Sequence, residues 1–239
     1  MNREVQGVAR QRPIVAIDGP VGAGKSTVAR ALARALGFSY LNTGAMYRAV
    51  AVAARAAGID PDAPEMDEQL RAILDTVSIA LDGERVILDG RDISDVIIEP
   101  EIGDLASRFS ALPIVREKMR DLQRAAGAGG GVVMEGRDIG TAIFPDAEVK
   151  FFLVADAGVR AARRYAELAN KGVATTLAEV AAQLAERDRR DAGRTLAPLK
   201  PAADAIVIDS TARDVTAVVD EMKTRVEAVS RVKLGLKRV

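Results

Sequence analysis

The chain contains no cysteine and no histidine. Without cysteine there is no disulfide, no thiolate nucleophile and no Cys-ligated metal. Without histidine there is no Ser-His-Asp catalysis and no His-ligated zinc, so proton handling falls to Asp, Glu, Lys or Tyr. Tryptophan is absent and aromatics are only 3%, so Val, Ile, Leu and Ala must build the core that a hydrophobic content of 49% supplies. Net charge is missing too: 34 basic side chains meet 34 acidic ones. That argues against a general nucleic-acid or membrane surface and leaves room for a local basic cleft. No run approaches the roughly 20 consecutive apolar residues of a membrane-crossing helix. The polar first dozen residues lack the apolar stretch of a signal peptide. The expectation is a cytoplasmic protein, taken as a monomer, with small-molecule partners and neither nucleic acid nor membrane among them.

The distinctive feature lies at 19–27, Gly-Pro-Val-Gly-Ala-Gly-Lys-Ser-Thr. It fits the phosphate-binding loop pattern G-x-x-x-x-G-K-[ST], with Gly19, Gly24, Lys25 and Ser26 at the fixed places. The apolar run 13–18 before it reads as a buried parallel strand, and the Ala-, Leu- and Arg-rich run 27–36 after it as a helix. Glycines let successive N–H groups converge on phosphate oxygens, and the helix N-terminus adds positive potential. Lys25 would reach the β- and γ-phosphates, as an exposed charge with no core partner, and the Ser26 hydroxyl would bind Mg²⁺.

At 239 residues the chain fits one α/β domain with an insertion. Strand-like runs at 13–18, 38–41, 131–135, 149–155 and 205–209 alternate with helical segments, including 44–57, 157–171, 176–190 and 214–231. This implies a P-loop α/β fold with a doubly wound five-stranded parallel sheet and helices on both faces. Residues 60–105 break the alternation. Runs at 77–81 and 85–89 flank an Asp-Gly turn, and 91–98 offers a third strand, so a small antiparallel insertion is expected. Helices follow near 100–110 and 113–126, and 136–146 reads as a loop. The predicted organisation is a flexible segment 1–12, a core at 13–59 and 106–175, an acceptor-binding insertion at 60–105, a helical lid at 176–197, a closing strand and helix at 198–231, and a flexible tail at 232–239.

In such sheets ligands bind at the carboxyl ends of strands, where Asp18 and the run Glu135-Gly136-Arg137-Asp138 fall. Arg187, Arg190 and Arg194 recur at spacings of three and four in a segment with few apolar anchors. They are either a mobile cover for a transferring phosphoryl group or a solvated, salt-bridged face. Arg163 and Arg164 in the preceding helix would flank a phosphoryl donor. Thr43 and Gly44 sit at a helix start, with Arg48 one turn further in. They suit a second anion, or Thr43 serves as an N-cap.

Together these motifs resemble the bacterial cytidylate kinase family. The loop, Thr-Gly-Ala-Met-Tyr-Arg at 43–48, Pro-x-Val-Arg at 113–116, Gly-Arg-Asp-x-Gly-Thr at 136–141 with Phe-Pro-Asp at 144–146, Glu-Arg-Asp-x-x-Asp at 186–191 with Arg194, and the pattern 197–211 carry the likeness over about 13–228. The resemblance implies transfer of the γ-phosphoryl of ATP to CMP or dCMP with Mg²⁺. It implies an ATP site formed by Gly19, Pro20, Val21, Gly22, Ala23, Gly24, Lys25, Ser26 and Thr27 with Arg163. Thr43 is then near the cytosine, Arg116 and Asp138 on its polar edge, and Ser107, Arg187 and Asp191 on the pentose. Arg48, Arg137 and Arg194 are on the acceptor phosphate and transferring group, and Lys25, Arg137, Arg187 and Arg194 carry catalysis. Two positions depart from the family: Thr43 stands where Ser is usual, and Glu135 where Asp is usual. Another P-loop kinase acting on AMP, UMP or a non-nucleotide acceptor is the alternative. A GTP switch is disfavoured, because Asn170-Lys171 is not followed by the residues of a guanine motif.

Overall fold

The computed structural model describes residues 10–63 and 66–233. In chain order the elements are β1 (Ile14–Asp18), α1 (Lys25–Leu36), β2 (Ser39–Asn42), α2 (Thr43–Ala56), α3 (Met66–Thr76), β3 (Ile79–Asp82), β4 (Arg85–Leu88), β5 (Arg91–Asp92), α4 (Pro100–Phe109), α5 (Pro113–Gly127), β6 (Val132–Glu135), a π-helical turn (Ile139–Ile143), β7 (Val149–Val154), α6 (Ala157–Asn170), α7 (Leu177–Ala192), β8 (Ile206–Asp209) and α8 (Val215–Lys233). The five strands expected from the sequence form one parallel sheet in the order β2-β6-β1-β7-β8, and β3, β4 and β5 form the small antiparallel sheet.

β1 is central and wholly buried, so both of its faces must be apolar. Its pleat divides them. Val15 and Ile17 face a cluster with Val28 and Leu32 of α1 and Val218 and Met222 of α8. Ile14 and Ala16 face Ile139, Ile143 and Phe144 around the π-helical turn. A separate cluster joins α2, α3, α4 and α5 through Val50, Leu70, Ile102, Phe109 and Met119. The antiparallel sheet lies against α2 through Ala49, Val86 and Leu88.

The structure departs from the expected organisation in several places. α3 was not expected, although Leu70 and Leu74 stand one turn apart and are its buried residues, with Asp67 and Glu68 in the first turn. The third antiparallel strand shrinks to two residues, because the Asp92 side chain accepts from Ser94 N–H (3.0 Å) and turns the chain. α4 crosses the boundary expected at 105/106. The stretch 136–146 is not simply loop, since it holds the π-helical turn. Residues 10–12, expected to be flexible, are held: Arg10 pairs with Asp146 at 2.7 Å, and Arg12 donates to Gly37 O at 2.6 Å and lies over the Phe38 ring. The flexible segments predicted for 1–9 and 234–239 lie outside the described residues, while 232–233 belong to α8.

Two contacts fix the mouth of the sheet. Gly19, at φ +146°, passes so close to β7 that an added Cβ would stand 2.1 Å from Leu153 O. Asp18, the last residue of β1, accepts N–H bonds from Ile139 (2.9 Å) and Gly140 (2.8 Å), tying β1 to the turn that follows Arg137 and Asp138. Burial pushes the Asp18 carboxyl up to about 6, against the pull of those two N–H groups.

Gly19→Ala is expected to cost about 2 kcal/mol or more, a fall in Tm of about 4–8 °C. An unchanged melting curve would show that the loop can relax away from Leu153. Asp18 titrates higher in the folded than in the unfolded chain. Its contribution to stability is therefore full below the ordinary value of 3.8 and is lost as pH rises through about 6. Urea unfolding of wild type and Asp18→Asn at pH 4 and pH 7 should show the difference moving in favour of the variant by about 2 kcal/mol. A pH-independent difference would contradict the raised value.

Candidate active site

The turn from β1 into α1 wraps as the loop pattern requires. Gly22 and Gly24 take positive φ (+78° and +88°), and a Cβ at Gly22 would meet Arg160 at 2.9 Å. Gly24 is the N-cap of α1, so no side chain competes for the free N–H groups at that helix start. Seven loop residues, Val21 to Thr27, line a cavity of about 1160 Å³. Such a volume exceeds the roughly 300–1,000 Å³ of single-ligand clefts. Gly19 and Pro20 are not part of the lining, and Pro20 O instead accepts from Lys25 Nζ at 2.7 Å. Lys25 is thus buried and bonded within its own loop, not exposed and unpartnered as expected. Burial, then Arg137, holds its ammonium well below the usual lysine range, opposed by Glu135 and Asp18. Arg163 lies beside the loop, donating to Ser210 O at 2.7 Å and Ser210 Oγ at 3.1 Å, while Ser210 Oγ donates to Ala23 O.

The same cavity also gathers Thr43, Arg48, Ser107, Arg116, Arg137, Asp138, Arg187, Asp191 and Arg194, contributed by α2, α4, α5, the β6 turn, α7 and, for Arg194, the chain just past α7. Asp191, 1% exposed on its side chain, is the hub. It accepts from Arg137 Nε at 3.1 Å, from Arg194 Nη2, and from Ser107 Oγ at 3.5 Å. Burial pushes its carboxyl up, but Arg137, Arg194 and Arg187 together hold it below the usual range. Arg116 and Asp138 form a second buried pair, with Arg116 Nη1 also donating to Ser110 O. Burial raises Asp138, opposed by Arg116. Thr43 is not the helix cap; Asn42 is, accepting from Ala45 N–H at 3.2 Å. The Thr43 hydroxyl donates instead to Glu135 O at 2.7 Å.

Cations outnumber their partners here. Arg48 makes no ion pair among the described residues, and burial, then Arg164 and Arg137, depress it. Arg187 is pushed down to about 9 by burial and then Arg137. The Nε donors of Arg187 and Arg194 are buried without a hydrogen-bond partner. Such donors are costly unless an anion meets them.

Sequence spacing misjudged the 176–197 segment. Val180 and Leu184 of α7 pack on Ala161 and Leu168 of α6, so it does have apolar anchors. Arg160 ties it to the loop, donating to Val21 O (3.1 Å) and pairing with Asp188 (2.7 Å). Arg190 pairs with Asp104, and Arg194 lies beyond the end of α7. Sequence reasoning missed Tyr40 altogether. Its hydroxyl donates to Glu135 Oε1, and burial, then Glu135, raises its pKa. Ser26 Oγ donates to the other oxygen of the same carboxylate at 2.9 Å. The available signal was the alternation in β2, which turns Tyr40 toward the α1 side of the sheet.

The cytidylate kinase family model matches residues 15–228. The chain is 50% identical over 216 residues to a cytidylate kinase of Citrifermentans bemidjiense, covering 90% of this chain and 92% of that one. It is 48% identical over 223 residues to that of Pelotomaculum thermopropionicum (92% and 98% covered), and 47% identical over 211 residues to that of Pseudomonas aeruginosa (87% and 92% covered). With the phosphate loop and a cluster of arginines lining one cavity, and likeness of this extent along almost the whole chain, the protein belongs to the cytidylate kinase family.

Proposed function

We propose that this chain transfers the γ-phosphoryl group of ATP to CMP, and to dCMP, giving ADP and the nucleoside diphosphate. The carrying observation is the surplus of buried and half-buried cations around the cavity, with two buried arginine Nε donors left unpartnered. The phosphates of a donor and an acceptor supply the missing counter-charge. Little covalent help is needed. An anionic oxygen of the acceptor phosphate attacks the γ-phosphorus, the bond to the β-phosphate bridging oxygen breaks, and no general base is required. Positioning and charge neutralisation carry the rate.

In this reading the loop N–H groups and Lys25 hold the donor phosphates, with Arg163 flanking the donor. Arg48 and Arg137 meet the acceptor phosphate, and Arg187 and Arg194 meet the transferring group. Ser107, Asp191 and Arg187 contact the pentose. Asp138 accepts from the cytosine amino group, Arg116 serves its carbonyl and ring nitrogen, and Thr43 lies near the base. A purine would leave this buried pair mismatched, which is how polar sites discriminate strongly.

Mg²⁺ fits the donor end. The Ser26 hydroxyl and the Glu135 carboxylate are hard oxygen donors at the loop, and no cluster of three or more acidic side chains stands there among the described residues. That suits an ion held by few protein ligands and by substrate phosphates. When bound, it would neutralise charge on the β- and γ-phosphates. The 176–197 segment is proposed as the lid. A monomeric state and a cytoplasmic location are part of the same proposal and rest on the sequence. No helix among the described residues is long and apolar enough to cross a membrane.

A coupled ADP-release assay over a panel of acceptors tests the assignment. CMP and dCMP should exceed AMP and GMP in kcat/KM. Asp138→Asn, which keeps the shape beside buried Arg116, should lower the CMP value by about ten- to a hundredfold. AMP as the best acceptor would replace this reading with the adenylate-directed alternative. Lys25→Met removes a buried ammonium that folding already disfavours, so Tm should hold or rise. Turnover should nevertheless fall at least about a hundredfold. Near-normal turnover in the folded variant would remove the loop mechanism.

A further inference from the structure

Glu135 closes β6 between the loop strand and β2, in register with Ile17 on one side and Asn42 on the other. All its polar groups but its N–H are engaged by side chains. Its carbonyl accepts from Thr43 Oγ1, its Oε2 from Ser26 Oγ at 2.9 Å, and its Oε1 from the Tyr40 hydroxyl. An ionised carboxylate only accepts, so the Ser26 proton points at Glu135, and the hydroxyl lone pairs are left for a cation. That orientation depends on where the carboxylate points. Lys25 feels Glu135 directly, and Arg137 lies in the same cavity, so a free carboxylate has nearby cations to turn toward. Glutamate is one methylene longer than aspartate and has one more rotor to fix. Tyr40 is itself held, with the Arg30 guanidinium 5.7 Å above its ring and Arg30 paired with Glu84 on the β3–β4 hairpin.

We propose that Tyr40 is a positioning residue for the donor metal: by donating to Glu135 Oε1 it keeps Oε2 on Ser26 and keeps the Ser26 lone pairs turned to the cation. Tyr40 touches neither substrate nor metal and acts through Glu135. The proposal rests on the reading of Ser26 as a Mg²⁺ ligand, and it gives Glu135 a task in which the longer side chain requires a second anchor.

Tyr40→Phe keeps the ring and removes only the donor. The test measures Mn²⁺ binding to the full-length enzyme with ADP by electron paramagnetic resonance, beside Tm, kcat and the KM for CMP. Mn²⁺ affinity in the ADP complex should weaken about tenfold, as typically follows loss of a partner behind a metal ligand. The free Mg²⁺ giving half-maximal rate should rise in step, and the KM for CMP should stay within about twofold. In a Glu135→Gln background the same change should add nothing further, since both act through one carboxylate. A merely structural role would lower Tm and leave metal affinity in place. Mn²⁺ affinity within about twofold of wild type, or an undiminished effect in the Glu135→Gln background, overturns the role of Tyr40. Wild-type enzyme that binds Mn²⁺·ADP no more tightly than ADP alone holds Mn²⁺ overturns the Ser26 site itself, and the two failures are thereby told apart.

Discussion

More positive charge is crowded, buried or half-buried, around one cavity than the nearby carboxylates pair with, and much of the architecture holds it there. Lys25, Arg48, Arg116, Arg137, Arg187 and Arg194 line the same space, and Asp191 and Asp138 supply the close carboxylate partners. Burying unpaired cations is expensive, and the depressed values of Lys25, Arg48 and Arg187 register that cost. The hydrophobic clusters on either side of the sheet and under α2 provide the stability against which such a site can be maintained.

The four acidic residues that are buried among the described residues, Asp18, Glu135, Asp138 and Asp191, lie at or beside the cavity and divide the labour by position. Asp191 gathers Arg137 from the β6 turn, 54 residues away, and Arg194 from just past the end of its own helix, so an ion pair joins the β6 turn to α7. Asp138 pairs with Arg116. Asp18 faces backbone instead of cations and fixes the turn that carries Arg137 and Asp138. Glu135 stands beside the phosphate loop, between a serine and a tyrosine. Their chemistry is the same, and their tasks differ because each meets a different set of donors.

The α7 segment illustrates how packing and function are combined. Its first half is anchored by Val180 and Leu184 on α6, and a capping box at Thr176 and Glu179 starts it. Its second half carries the charged residues that reach the cavity. Arg160 of α6 links Asp188 in that second half to Val21 O of the phosphate loop.

Local chemistry was legible in the sequence wherever a backbone conformation or a period demanded particular residues. The glycine loop, the central strands and most helices followed from Gly19, Gly24, the apolar runs and the 3.6-residue spacing, because these reflect constraints among neighbours in the chain. Even α3 was written there, in Leu70 and Leu74, but a turn-rich flank obscured it. The sheet order, the burial of Lys25, the meeting of Asp191 with Arg137 across 54 residues, and the Tyr40–Glu135–Ser26 contact across 95 and 109 were decided only by tertiary structure. Spacing within one element says which side chains share a face. It says nothing about which faces of distant elements converge, because that depends on how several apolar surfaces are buried at once.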